Sequence, residues 1–166
     1  MTYRAIIFDL FGTLVNDFMS VTGQTHEELA DILGVPYEPF MKQWRETTAR
    51  RTMGEFQTVE ASIDHVCGAL GVPVNAKQMA KAVEFRLEYT RRALVPKPDA
   101  VATLAQLKQT GFTVGLLSNC SIEIPILWPT TEFADLIESP IFSSRERLKK
   151  PDPRIYQIAL AKLQVA

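Results

Sequence analysis

Hydrophobic and polar positions divide this chain into an α/β beginning, a long helical stretch and an α/β end. Ala5-Ile6-Ile7-Phe8 is an apolar run of strand length, and it predicts a strand buried on both faces. Asp9 follows at its end, and Gly12-Thr13 close a tight turn. From there to the mid-nineties the apolar spacing is helical. Thr25 to Leu33 carries Leu29, Ile32 and Leu33 on one face and stops at Gly34. Pro36 and Pro39 lead into a helix in which Phe40, Met41 and Trp44 share a face. Thr58 opens a third helix through Ile63, Val66 and Leu70. Asn75 with Gln78 forms a capping box for a fourth, through Met79, Val83, Leu87 and Leu94. Val95 to Asp99, with two prolines, reads as a hinge or linker. Asp99 to Gln109 is amphipathic, and Phe112 to Leu117 is a second buried strand ending in Ser118-Asn119. A third strand is expected within Leu136 to Phe142, although Pro140 argues against a central position. Asp152 and Pro153 start a last helix, with Ile155, Ile158, Ala159 and Leu163 on its buried face.

Size and composition narrow the classes. The chain has 166 residues, of which 46% are hydrophobic, so a sizeable core is expected and disorder is not. A net charge of -1 predicts no general affinity for nucleic acid or for an anionic membrane surface. No apolar run is long enough to span a bilayer, and the N-terminal residues lack a secretory pattern. Cys67 and Cys120 are too few for a disulfide framework. A reduced, cytoplasmic setting is the simplest expectation.

The polar residues at the strand ends carry the candidate chemistry. In a parallel sheet built by right-handed crossovers, Asp9, Ser118-Asn119 and Lys150 fall along one edge. A carboxylate at the end of a buried strand is costly unless it does something there. Asp9 can attack an electrophile to give a covalent ester or acyl phosphate. Lys150 would keep it ionised, while Thr13 and Ser118 would donate to oxygens of the transferred group. A Cys120 thiol is a weaker nucleophile candidate, since neither His26 nor His65 is placed by sequence to activate it. His65 and Cys67 are two apart on one helix and do not face each other. Arg50-Arg51 and Arg91-Arg92 read as solvated helix faces. Phe40, Trp44, Phe85 and Tyr89 read as the core of the helical stretch or its contact with the rest.

Phe8-Asp9-Leu10-Phe11-Gly12-Thr13-Leu14 resembles the first motif of the haloacid dehalogenase-like (HAD) hydrolase superfamily. Leu117-Ser118-Asn119 resembles its second motif, and Lys150-Pro151-Asp152-Pro153, followed by Tyr156, its third. The resemblance implies a Rossmann-like parallel sheet formed by residues 1–15 and 96–166, with residues 16–95 as an α-helical cap. It implies an aspartyl intermediate on Asp9 with Lys150, Ser118 and Thr13 as catalytic supports. Asn119, Phe11, Gly12 and Arg45 would meet a small-molecule substrate. Hydrolysis of a phosphate monoester is the leading expectation, because phosphatases are common in the superfamily. They use Mg²⁺, which Asp9 and the backbone carbonyl of Phe11 would bind here.

Two departures from the pattern modify that expectation. The phosphatases usually carry a second Asp two residues after the nucleophile as general acid. Here that place holds Phe11, which cannot protonate an alkoxide, a loss of roughly 10²–10⁴ in rate. Halide leaves without a proton. Phe11 together with Trp44-Arg45, which resembles the dehalogenases' carboxylate-holding arginine, therefore makes metal-free 2-haloacid dehalogenation the second expectation. The acidic fourth motif is missing after the last helix, which leaves Mg²⁺ short of ligands. Asp152 is a helix cap, not a replacement. It also leaves Ala5 to Phe8 as an apolar sheet edge, through which self-association is expected. A third reading, of another class, is a truncated or inactive HAD fold kept for binding or assembly.

Overall fold

The computed structural model describes residues 3–18 and 26–165. The three apolar runs form a parallel sheet: β1 is Ala5–Phe8, β2 Thr113–Ser118 and β3 Ser139–Phe142, in the order β1-β2-β3. Ala5 lies opposite Thr113, and Gly115 opposite Ser139. The α/β class with a Rossmann-like sheet is therefore as expected. The burial of β1 is not. All four of its residues are only half-buried, because among the described residues β2 is its one strand partner and β1 forms a sheet edge. β2 is the central strand and is buried from Val114 onward.

Pro140 is tolerated because β3 forms the opposite edge, where a missing N–H interrupts no second ladder. Leu136 and Ile137, expected in this strand, instead close a turn by donating to the Phe133 carbonyl, both at 3.0 Å.

Helices cover both faces of the sheet. Val114 and Leu116 point into a core shared with Leu10, Leu14, Leu104, Ile124, Phe133 and Phe142. Leu104 belongs to α6, Ala100–Gln109. Leu117 and Ile141 face the other way, onto Ile155 and Ala159 of the last helix, Pro153–Lys162. That close approach uses Gly115: a Cβ there would meet Leu163 Cδ1 at 2.8 Å.

The middle of the chain is helical: α1 His26–Leu33, α2 Tyr37–Glu46, α3 Thr48–Thr52, α4 Val59–Ala69 and α5 Ala76–Ala93. Thr25, expected to open α1, lies outside the described residues. α1, α2, α4 and α5 enclose their own core, with Leu29, Leu33, Phe40, Trp44, Ile63, Phe85 and Tyr89 buried. Thr58 caps α4 by accepting from the Ala61 amide at 3.1 Å. The Asn75–Gln78 capping box is formed in both directions. Gln78 Nε2 also donates to the Leu33 carbonyl at 3.1 Å, tying the start of α5 to the end of α1.

Three short helices were not foreseen. α3 has no apolar periodicity, and its one buried residue is Arg51. α7, Glu123–Leu127, is too short to show a period and contains Pro125. α8, Ser143–Glu146, follows β3 directly, which makes Pro153–Lys162 α9. The Val95–Asp99 linker is pinned to the loop after β1, with Lys97 N donating to the Leu14 carbonyl at 2.8 Å. Among the described residues no helix is long and apolar enough to cross a membrane.

Candidate active site

β1 delivers Asp9 to the carboxyl end of the sheet, where the chain turns back sharply. One carbonyl organises that turn: Leu10 O accepts from the amides of Thr13, Leu14 and Val15 at 3.2, 2.9 and 3.1 Å. Gly12 sits at φ +75, a conformation that favours glycine, with Asp17 Oδ1 3.0 Å from where a Cβ would lie. The Lys97 ammonium donates to the Gly12 carbonyl. The turn leaves Asp9, Gly12 and Thr13 exposed.

Lys150 reaches Asp9 from a loop well beyond the end of β3. Its Nζ donates to Asp9 Oδ1 at 2.6 Å. Asn119, immediately after β2, makes that reach possible. Its Oδ1 accepts from the Lys150 amide at 2.8 Å and its Nδ2 donates to the Lys150 carbonyl at 3.1 Å. Both ends of the Asn119 amide are thus occupied in holding the Lys150 backbone. Asn119, which the motif resemblance sets against substrate, is engaged with the Lys150 backbone and also lines the cavity described below.

Ser118 also departs from expectation. It is fully buried, and its hydroxyl makes no regular hydrogen bond, with the Cys120 thiol beside it as a soft polar neighbour. It is turned away from solvent, because the end of β2 is a central strand covered on both faces. Burial pushes the Cys120 thiol up to about 12, against a smaller opposing effect of the Ser118 and Ser144 hydroxyls. A thiol held protonated is a poor nucleophile. Asp152 caps α9 by accepting from Arg154 N at 2.9 Å. The Arg154 side chain holds its carboxyl down at about 2.

A cavity of about 290 Å³ opens between the helices and the loop after β2. Phe11, Phe18, Met41, Trp44 and Ile124 give it apolar walls, and Arg45, Arg51, Arg86 and His26 give it positive charge or potential charge. Phe11 packs edge-on against Phe18, with centroids 5.4 Å apart. Arg45 is exposed on α2 and lines the cavity, as does Asn119.

The remaining charged groups of this region escaped the sequence analysis. Arg51, read as part of a solvated face, is buried: its Nη1 donates to the Trp44 carbonyl at 2.6 Å and to Thr47 Oγ1 at 2.5 Å. Burial pushes its guanidinium down to about 10. Arg86 of α5 meets Glu123 of α7 in an ion pair with Nη2 to Oε1 at 2.9 Å, the two side chains 3% and 2% exposed. Burial would raise the Glu123 carboxyl, and Arg86 together with the Ser121 side chain more than offsets it, so Glu123 is held below the usual range. Desolvation, then Arg86, Arg51 and Arg45, push His26 down to about 4. A signal for Arg86 did exist: Ala82, Phe85, Tyr89 and Ala93 are buried, and Arg86 lies on the same helical stripe. Glu123, between two isoleucines of a five-residue helix, offered none.

A metal fits poorly. Among the described residues no three His, Cys, Asp or Glu side chains cluster to hold one. Asp9, already bonded to Lys150, and the Phe11 carbonyl are two oxygens where a hard divalent cation wants about six or more.

A family model described as haloacid dehalogenase-like hydrolase matches residues 3–166. The chain belongs to this hydrolase family. (S)-2-haloacid dehalogenase 1 of Pseudomonas sp. (strain CBS-3) is 28% identical over 172 residues, covering 98% of this chain and 71% of that protein. A phosphatase of Mycobacterium tuberculosis is 26% identical over 168 residues, covering 100% and 76%. Among solved structures, a HAD family enzyme from Bacteroides thetaiotaomicron superposes with a TM-score of 0.70 at 19% identity, covering 100% of this chain and 81% of that one. This HAD-like hydrolase carries the Asp9–Lys150 ion pair at the carboxyl end of its sheet.

Proposed function

We propose that this HAD-like hydrolase displaces a halide from a small 2-halo acid, with Asp9 as nucleophile and the helical stretch, residues 16–95, as a cap over the core of 1–15 and 96–166. This inverts the order of the two enzymatic expectations. The observation that carries it is the cavity lined by Phe11, two residues along the chain from Asp9: Phe11 stands where a proton donor would be needed, and the cavity joins apolar side chains to guanidiniums. A halide needs no proton to leave, and an organic acid of this kind offers a carboxylate to arginine and a carbon skeleton to Phe11, Phe18 and Trp44. The sequence similarity to a 2-haloacid dehalogenase points the same way.

In this reading one Asp9 oxygen attacks the halogen-bearing carbon as the carbon–halogen bond breaks, and the halide departs with the bonding pair. Water then adds to the Asp9 carboxyl carbon of the ester, releasing the 2-hydroxy acid and a proton and restoring the carboxylate. Lys150 holds Oδ1 at 2.6 Å, fixing the carboxylate and offsetting charge on the ester oxygen. Asn119 holds Lys150 in place. No step is routed through a metal.

Halide release from 2-chloropropionate without added metal, compared with phosphate release from a phosphate monoester with Mg²⁺, is the deciding measurement. Halide release is expected, lost in Asp9→Asn and reduced on the order of 10²-fold or more in Lys150→Met. Phosphate release alone, sensitive to Asp9→Asn, would restore the monoester reading that the similarity to a phosphatase favours. A folded protein silent in both assays would favour a binding role.

A further inference from the structure

Two guanidiniums lie deeper in the cavity than Arg45. Arg51 and Arg86 are 8% and 3% exposed, and both line it. A buried guanidinium is costly unless a carboxylate matches it. Glu123 matches Arg86 incompletely: its Oε1 accepts from Nε at 3.3 Å and from Nη2 at 2.9 Å. Arg86 Nη1 is buried with no hydrogen-bond partner.

Arg51 has no carboxylate in ion-pair contact among the described residues, and its guanidinium is served by neutral oxygens of Trp44, Thr47 and Thr48. The Trp44 ring lies 4.0 Å from the Arg51 guanidinium carbon and 4.9 Å from that of Arg86, so both cations share one aromatic neighbour as well as one cavity. With Arg45, three guanidiniums line the cavity and no carboxylate does, Glu123 meeting Arg86 outside its lining, within walls that screen poorly. Fixed charge of this kind is balanced when two negative charges enter together.

We propose that Arg51 and Arg86 form an anion subsite at the buried end of the cavity, so that the substrate is a small dicarboxylic acid, one carboxylate at Arg45 and the second on Arg51 and Arg86 Nη1. This rests on the reading of the cavity as the substrate site. The planar guanidinium fork suits a carboxylate, and the unpartnered Nη1 supplies a donor that nothing else in the described structure uses.

The test uses the Asp9→Asn protein, in which binding is read without turnover. Succinate and butyrate share a carbon count and differ by one carboxylate. By titration calorimetry, succinate is expected to bind roughly tenfold tighter or more, the difference a charge-assisted bond makes. Adding Arg51→Met is expected to remove that advantage. Equal affinity for the two acids in the Asp9→Asn protein overturns the subsite, and this comparison stands even if Arg51→Met fails to fold. A succinate advantage that survives in folded Arg51→Met overturns it as well. Equal affinity would leave halide release untouched, and absence of halide release would leave the binding preference untouched, so the two readings fail separately.

Discussion

His26 faces the Arg86, Arg51 and Arg45 charges from the first turn of α1, with the Tyr89 ring 5.4 Å away, and is held down at about 4. Above the ordinary histidine value of 6.5 the folded and unfolded chains are both neutral there, and the stability is fully present. As pH falls from 6.5 towards 4, the unfolded chain takes up a proton that the folded chain refuses, so stability drains away over that window. Between pH 7.5 and 5 the loss should be about 1 kcal/mol once the partial exposure of the ring is allowed for, and His26→Gln should remove that part of the slope. Urea unfolding at the two pH values checks this, and parallel losses in wild type and variant would count against it.

At the same scale, Asp9 and Lys150 were legible because each sits in a short motif whose residue types follow from the chemistry. The work of Asn119 was not. Motif position fixes which residue stands at the end of β2, but the direction of its amide depends on a backbone that returns thirty-one residues later.

Among the elements, α3 and the turn after it join the helical stretch to the sheet. Gly54 has φ +68, and a Cβ there would fall 1.8 Å from the Ser144 carbonyl oxygen on α8. Ser143 Oγ donates to the Thr52 carbonyl at 2.6 Å and accepts from the Cys120 amide at 2.9 Å, so one hydroxyl bridges three segments. Gly54→Ala combines backbone strain with a backbone clash, and should cost on the order of 3 kcal/mol or more. Thermal unfolding of the variant measures it, and a melting temperature within a degree of wild type would contradict the contact. The capped helices were readable in advance because Thr58, Asn75 and Gln78 act on neighbours within one turn. α3 and α7 were not, since neither is long enough for an apolar period to show.

Across the molecule, the Arg86–Glu123 pair is the buried ionic link between the helical stretch and the sheet layer. Removing one partner leaves the other charge buried alone, so Arg86→Met should cost roughly 3–5 kcal/mol, and Glu123→Gln somewhat less. The double variant should be more stable than Arg86→Met by itself. Denaturant unfolding of the four proteins forms the cycle, and strictly additive losses would mean that the two side chains do not act as a pair.

The sequence by itself determined the parallel sheet, its helical interruption, the cap residues of the helices and the Asp9, Asn119 and Lys150 positions. Each of these depends on local spacing: strand-length apolar runs, helical periodicity, and short motifs. Only the tertiary structure decided that Ser118 turns away from solvent, and that Arg51 and Arg86 converge on one cavity. Those outcomes depend on which surfaces meet across long stretches of chain. A charged side chain looks solvated in any sequence until packing removes its water.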